Sequence, residues 1–314
     1  MVEGWPEPMV EGRTAVTGHA MYYRICGSPN ARSTILCMHG GPGATHEYLQ
    51  PLSDLVRDGH RVVFYDQLGC GRSARITDTS LFSLDHNVLE VEELRRSLNL
   101  GPVHVFGSSY GGTLALAYTR AHPEAVRSLT TAGGVADFPL AISEMRRWIA
   151  ELPVGAREAL RRGEEQGRFD APEYRAAMNE FYRRHLCRRW PMPAPLAYSL
   201  ENISQPVYLY MNGPNEFTIV GTIKDIRFVD RLGAIRAPTL VTGGRYDEVS
   251  PRVAEQIARA IPGAELEIFP GSSHVPFWEE RRAYIDRVRR FLGRAAEPPR
   301  GGPLVPRPPA ECGS

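Results

Sequence analysis

The sequence predicts an α/β fold, a mostly parallel sheet with helices on both faces, interrupted once by an inserted helical segment. Three observations carry this. Short apolar runs alternate with helical periodicity up to about residue 136. From there to about residue 225 the chain is rich in Arg, Glu and Ala at helical spacing, without a strong buried strand. The strand–helix rhythm then returns and closes near residue 292. Such alternation is the signature of βαβ units in one sheet.

Residues 13–16 and 21–25 form a hairpin-like pattern, and residues 34–38 (TILCM) a buried strand ending at HGGPG, residues 39–43. A helix is expected around Tyr48 to Asp58, then a strand over 61–65 and a glycine-rich loop over 66–73 (DQLGCGRS). Val88, Val91, Leu94 and Leu98 recur at helical spacing and lead to a strand over 103–106 (VHVF). The helical insertion is broken by Pro153, Pro172 and a proline cluster over 191–195. Beyond it come a strand over 239–242, a helix over 252–260, a strand over 264–269 and a closing helix over 282–292. The expected organisation is residues 1–136 as the first part of a core, 137–225 as a helical cap and 226–294 as the second part of the core. Residues 295–314, with six prolines and little that could pack, read as a disordered tail.

Composition narrows the function. The chain has 314 residues, 42% hydrophobic and 23% charged, which suits a globular protein. A net charge of +1 provides no bulk field to recruit nucleic acid or an anionic membrane, so neither is expected as a partner. Of the 37 basic residues only Lys224 is lysine, and arginine pairs such as Arg146-Arg147 and Arg183-Arg184 alternate with acids as solvated helix faces. The five cysteines are scattered without a C-x-x-C pair, which argues against a disulfide framework and a structural zinc site. The nine histidines show no H-E-x-x-H spacing, so neither metal nor other cofactor is called for. The N-terminus lacks a signal-peptide pattern and no run approaches the ~18 apolar residues of a membrane span. A reducing, cytoplasmic setting is the expectation.

The chemistry lies in residues 107–111, GSSYG, a G-x-S-x-G sequence set between a strand and a helix. That context is the nucleophile elbow, which holds a serine on a strained turn with its Oγ exposed. It specifies an α/β-hydrolase fold, into which the helical segment is inserted, and names Ser109 as nucleophile. A serine needs a base, and the base an orienting acid. Chain order in this fold is Ser, then Asp or Glu, then His. Asp247 and His274 each follow a strand's C-terminal end, the edge where open α/β sheets bind ligands. Asp66 also follows a strand and is the alternative acid. His104 reads as a packed core residue, while His60, His122 and His185 read as surface positions. For the oxyanion, the motif places one donor at the N–H of Tyr110 and the second in the HGGPG loop, where Gly41 is chosen and Gly40 is the neighbour in reserve.

HGGPG, DQLGCGRS, GSSYGG and the contexts of Asp247 and His274 together resemble the proline iminopeptidase (prolyl aminopeptidase) family, over roughly Tyr22 to Leu292. MNGPNEF at 211–217 with GTIKD at 221–225 resembles the branch containing the tricorn-interacting aminopeptidase. The resemblance implies a helical cap, and a substrate α-ammonium held by two glutamates. The matching positions are Glu216, in MNGPNEF, and Glu248, beside Asp247; Tyr208 matches a further residue at that site. Physics supports the transfer, because a cation in a partly dry pocket needs carboxylate partners. Phe138, Trp148, Phe217 and Trp278 either line the pocket for the first side chain or pack in the core. The expected function is a serine aminopeptidase releasing proline or another small or apolar residue from short peptides. Its partner would be a short peptide, or an aminoacyl amide or ester, with a free N-terminus. Two alternatives stand beside it: a hydrolase of amino acid amides, esters or specialised metabolites, and a non-catalytic binding protein, against which the intact triad argues. Oligomeric state has no legible signal.

Overall fold

One eight-stranded sheet organises the computed structural model, which describes residues 9–295. The proline-rich segment expected as a tail lies, from residue 296 on, outside the described residues, as do the first eight. The strands are β1 (Val10–Val16), β2 (His19–Cys26), β3 (Ser33–Met38), β4 (His60–Tyr65), β5 (Val103–Ser108), β6 (Val126–Ala132), β7 (Thr239–Gly244) and β8 (Glu265–Phe269). Their spatial order is β1-β2-β4-β3-β5-β6-β7-β8. The β1–β2 and β2–β4 pairs are antiparallel, and every pair from β4 through β8 is parallel.

Period-two alternation splits the core into two layers. Leu36, Met38, Val63, Tyr65, Val103 and Val105 point to one face, and Ile35, Cys37, Val62, Phe64 and Phe106 to the other. The first face receives α1 (Leu84–Ser97), α2 (Tyr110–Ala121) and, further along the chain, the helix Pro251–Ala260. The second face receives the helix Arg281–Ala295 and the segment His46–Asp58. That segment, expected as an ordinary helix, is a 3-10 helix with Pro51 inside it; proline lacks the N–H and crowds the preceding turn.

Strand β6 escaped the sequence reading for a physical reason. Ser128, Thr130 and Thr131 are buried polar residues in a central strand, so its apolar signal is thin. The cost of burying Ser128 is offset by a 2.8 Å hydrogen bond between its Oγ and His104 Nδ1.

Between β6 and β7 lie two short 3-10 helices (Thr222–Asp225 and Val229–Ala234), no strand, and five α-helices: α3 (Phe138–Ala150), α4 (Val154–Gln166), α5 (Pro172–His185), α6 (Ala194–Glu201) and α7 (Gln205–Met211). Entry and exit of this insertion are zipped together. Phe138 N–H donates to Ile226 O (3.0 Å) and Phe228 N–H to Ala136 O (2.9 Å). The remaining helices are α8 (Pro251–Ala260), α9 (Pro276–Glu279) and α10 (Arg281–Ala295). Among the described residues no helix is long and apolar enough to cross a membrane, and Cys26, Cys37, Cys70 and Cys187 are buried free thiols.

Candidate active site

Chain direction puts the site on one edge. Ser109 follows β5, the HGGPG loop follows β3, Asp247 follows β7 and His274 follows β8, all at the strands' C-terminal ends. The chain leaves β3 for β4 on one side and β5 lies on the other, so HGGPG and the elbow meet at the switch point of the sheet.

The elbow is strained. Ser109 has φ 58° and ψ −128°, a region costing a non-glycine residue about 1–3 kcal/mol. Its N–H is pinned to Ala132 O at 2.8 Å. The flanking glycines are required by contact: a Cβ on Gly107 would overlap the Gly111 carbonyl, and one on Gly111 the Met38 carbonyl. Gly40 is equally constrained, since a Cβ there would lie 2.6 Å from the Ser109 Cβ.

The structure separates the two glycines held open for the second oxyanion donor. The Gly40 N–H already donates to Tyr48 Oη at 2.7 Å, while Gly41, at φ 109°, borders the cavity beside Ser109. Tyr110 is the first residue of α2, where backbone N–H groups have no acceptor within the helix. Tyr48 was not singled out in the sequence. It ties the HGGPG loop to the end of β5, accepting from Gly40 and donating to Ser108 O at 3.4 Å.

His274 and Asp247 are in contact, with Nδ1 and Oδ1 2.6 Å apart. The other ring nitrogen, Nε2, has no hydrogen-bond partner among the described residues and lies 3.7 Å from Glu248 Oε1. Burial opposes charge on this imidazole, but the carboxylates of Asp247, Glu248 and Glu216 outweigh it and raise the pKa to about 10. Asp66 is elsewhere. Its Oδ1 accepts from His46 N–H (3.0 Å) and contacts His46 Nδ1 (2.8 Å), and its Oδ2 accepts from Arg72 N–H (2.9 Å). Despite burial, that network holds its pKa down at about 2, so Asp66 braces the glycine-rich loop rather than His274.

Glu216 and Glu248 both line the cavity next to Ser109 and His274. Glu216 Oε1 accepts a 2.8 Å hydrogen bond from the Tyr208 hydroxyl. Glu248 is buried, with Oε2 unpartnered among the described residues. Burial raises both carboxyls, Glu248 the further because Glu216 and Asp247 add like charge. Burial thus opposes charge on both carboxyls, while the neighbouring carboxylates favour charge on the imidazole.

The four aromatic residues left open between pocket and core divide unevenly. Phe138 borders the cavity, and Phe217 packs on Phe181 at 4.8 Å. Trp278 donates to Tyr48 O (2.7 Å) and Trp148 to Asp247 O (2.9 Å). Two histidine readings need correcting. His60 is buried at the start of β4, against Ser33 Oγ and Arg32. His185 is buried at the end of α5, where Nδ1 donates to Tyr246 O (2.9 Å), its carbonyl accepts from Glu248 N–H (3.1 Å), and its ring stacks on Trp148 at 4.6 Å. Helices α3 and α5 thus grip the Tyr246–Glu248 backbone directly.

Fold and site define the class, an α/β-hydrolase with a serine, a histidine–aspartate pair and an acidic pocket on one sheet edge. The family described as alpha/beta hydrolase fold matches residues 33–281. A proline iminopeptidase from Saccharolobus solfataricus is 41% identical over 293 residues, covering 93% of this chain and 94% of that protein. The crystal structure of a Mycobacterium smegmatis proline iminopeptidase superposes with a TM-score of 0.86 at 33% identity, covering 91% of this chain and 98% of that one. That of VinJ superposes with a TM-score of 0.90, also at 33% identity, covering 92% and 100%. The chain belongs to the proline iminopeptidase family of α/β-hydrolases.

Proposed function

We propose that this chain is a serine aminopeptidase that releases an N-terminal proline, or another small or apolar residue, from short peptides. The observation that carries this is the pair Glu216 and Glu248, set in the cavity beside Ser109 and His274. A cationic α-ammonium there relieves the like charge between them, whereas an N-blocked substrate leaves both carboxyls desolvated and unpaired. MNGPNEF, which supplies Glu216, supports placing the chain near the tricorn-interacting branch. Helices α3–α7 act as the cap over residues 137–225, between core parts 1–136 and 226–294. The buried free thiols fit a reducing cytoplasm.

In this mechanism Ser109 Oγ attacks the carbonyl carbon of the first residue and passes its proton to His274 Nε2. Asp247 holds Nδ1–H and fixes the tautomer. The N–H groups of Gly41 and Tyr110 take the developing oxyanion. Collapse breaks the C–N bond, and His274 returns the proton to the leaving amine. Water, deprotonated by His274, then attacks the acyl-enzyme and frees the amino acid and Ser109.

The charge state of His274 makes a pH prediction. In the substrate-free pocket the carboxylates of Asp247, Glu248 and Glu216 raise its pKa to about 10, which favours the imidazolium, the form that does not accept the serine proton. For an uncharged ester, kcat/KM therefore rises with pH well beyond the ~6.5 of an ordinary histidine. With an aminoacyl substrate the bound ammonium offsets the carboxylates, and the acid limb of kcat moves to lower pH. Parallel pH–rate profiles check this; identical limbs near 6.5 would contradict it.

Trp148 and His185 act through the Asp247–Glu248 backbone. In Trp148→Phe, which removes the 2.9 Å bond to Asp247 O, kcat should fall about five- to tenfold with KM little changed, the scale of one net hydrogen bond. A merely structural role would lower the melting temperature without that kcat–KM split. The reading as a whole is tested by turnover of prolyl and alanyl chromogenic amides with and without N-acetylation; equal rates would reject the aminopeptidase.

A further inference from the structure

Two apolar lobes meet at Ser109, Gly41, Glu216 and Glu248. One is walled by Val135, Phe138, Ala141, Met145, Ile219 and Ile223. The other is walled by Leu186, Leu196, Leu200, Ile203 and Val275, and it alone of the two is bordered by His274.

Acyl-transfer chemistry distinguishes them. The group that protonates the departing nitrogen has to reach it, so the leaving amine lies on the His274 side of the tetrahedral centre. The first residue, held by its ammonium between the two glutamates, then extends into the opposite lobe. The His274-side lobe is dry in its chemistry. Its two hydroxyls are committed: Tyr48 Oη accepts from Gly40 and donates to Ser108 O, while Ser199 Oγ accepts from Tyr48 N–H (3.1 Å) and pairs with Thr45 Oγ1 (2.9 Å). Among the described residues neither Arg nor Lys borders it. A free carboxylate on the leaving residue would be desolvated there without a cation, and Glu216 and Glu248 would repel it.

From this the geometry points to a leaving-group subsite for apolar amines, built by α6 and the turn after it, with Leu196, Leu200 and Ile203 setting the preference. The substrates it selects are aminoacyl amides whose amine bears an alkyl or aryl body without a nearby acid. This rests on the aminopeptidase reading for the identity of the acyl half, but not for the leaving half.

The test compares kcat/KM for prolyl-leucinamide, prolyl-leucine with its free carboxylate, and prolyl-aspartamide. Leucinamide should lead both by about tenfold or more, the discrimination one apolar pocket supplies. Leu200→Arg and, as a second variant, Ile203→Lys should each lower the leucinamide-to-leucine ratio about tenfold, through a gain on prolyl-leucine. That gain is a readout that misfolding cannot produce. A ratio unchanged in both variants, accompanied by a changed preference between prolyl and alanyl substrates, would reverse the lobe assignment and overturn the proposal. The same graded leaving groups are run as acetate esters, n-butyl against carboxymethyl. If aminoacyl amides are not turned over, the aminopeptidase reading fails, and the esters alone decide the lobe: a butyl preference lost in Leu200→Arg supports it, and no preference rejects it.

Discussion

Ser109→Ala should lose turnover of every aminoacyl substrate by about 10⁵-fold or more, the scale of removing a nucleophile from a complete triad. Folding should be spared, with a melting temperature within about 2 °C of the parent. Alanine has the same Cβ, so it meets the strained backbone at φ 58° on the same terms as serine. It also keeps the N–H that donates to Ala132 O. A companion variant separates strain from chemistry. Ser109→Gly removes the Cβ that makes this conformation costly, and should be equally inactive yet more stable than the parent by about 1 kcal/mol. Such a pairing, lost activity with gained stability, would identify the elbow as a place where backbone strain serves catalysis. Substantial turnover in Ser109→Ala, or no labelling of the parent by a fluorophosphonate probe, would remove Ser109 from the mechanism.

How much of this was legible in the sequence follows from the range of the forces involved. Gly107, Gly111 and Gly40 stand where backbones approach too closely for a Cβ, so steric necessity writes itself into adjacent letters. Asp247 and His274, which the structure brings into contact, could be paired in the sequence because strand ends are recognisable and chain order is fixed by the fold. Contacts made across the fold leave no such trace. Trp148 reaches Asp247 across 99 positions and His185 reaches Tyr246 across 61. Read locally, His185 was a surface residue on an Arg-rich helix and Trp148 an undecided aromatic. Tyr48 was hidden in the same way, since it joins Gly40 in the HGGPG loop to Ser108 at the end of β5. Strand β6 was missed because its polar residues are satisfied by neighbours the sequence does not place beside it. Gly41 was chosen over Gly40 from the sequence; what the sequence did not contain is that the Gly40 N–H donates to Tyr48 Oη.

Glu216→Gln and Glu248→Gln are expected to divide substrates by their amine. For peptides and amides with a free N-terminus, each should lower kcat/KM by about 10²-fold or more, because removing one partner of a buried charged pair costs about 2–5 kcal/mol. For simple acyl esters the same variants should lose little, and Glu248→Gln should gain near neutral pH. The sign follows from position. Glu248 Oε1 lies 3.7 Å from His274 Nε2, and its negative charge helps hold the imidazole at a pKa of about 10. Removing that charge lowers the His274 pKa, so a larger fraction of the base is neutral at pH 7 and the ester's acid limb moves to lower pH. Glu216, hydrogen-bonded by Tyr208 at 2.8 Å, can be probed separately. Tyr208→Phe removes the donor, leaves the carboxyl in place, and should raise KM for free-amine substrates more than it lowers kcat. The discriminating result is therefore a crossing pattern, with aminoacyl turnover falling while ester turnover holds or rises at neutral pH. Parallel losses on both substrate types would mean that the two glutamates shape the site without binding an ammonium, and the acidic pocket would need another cation to explain it.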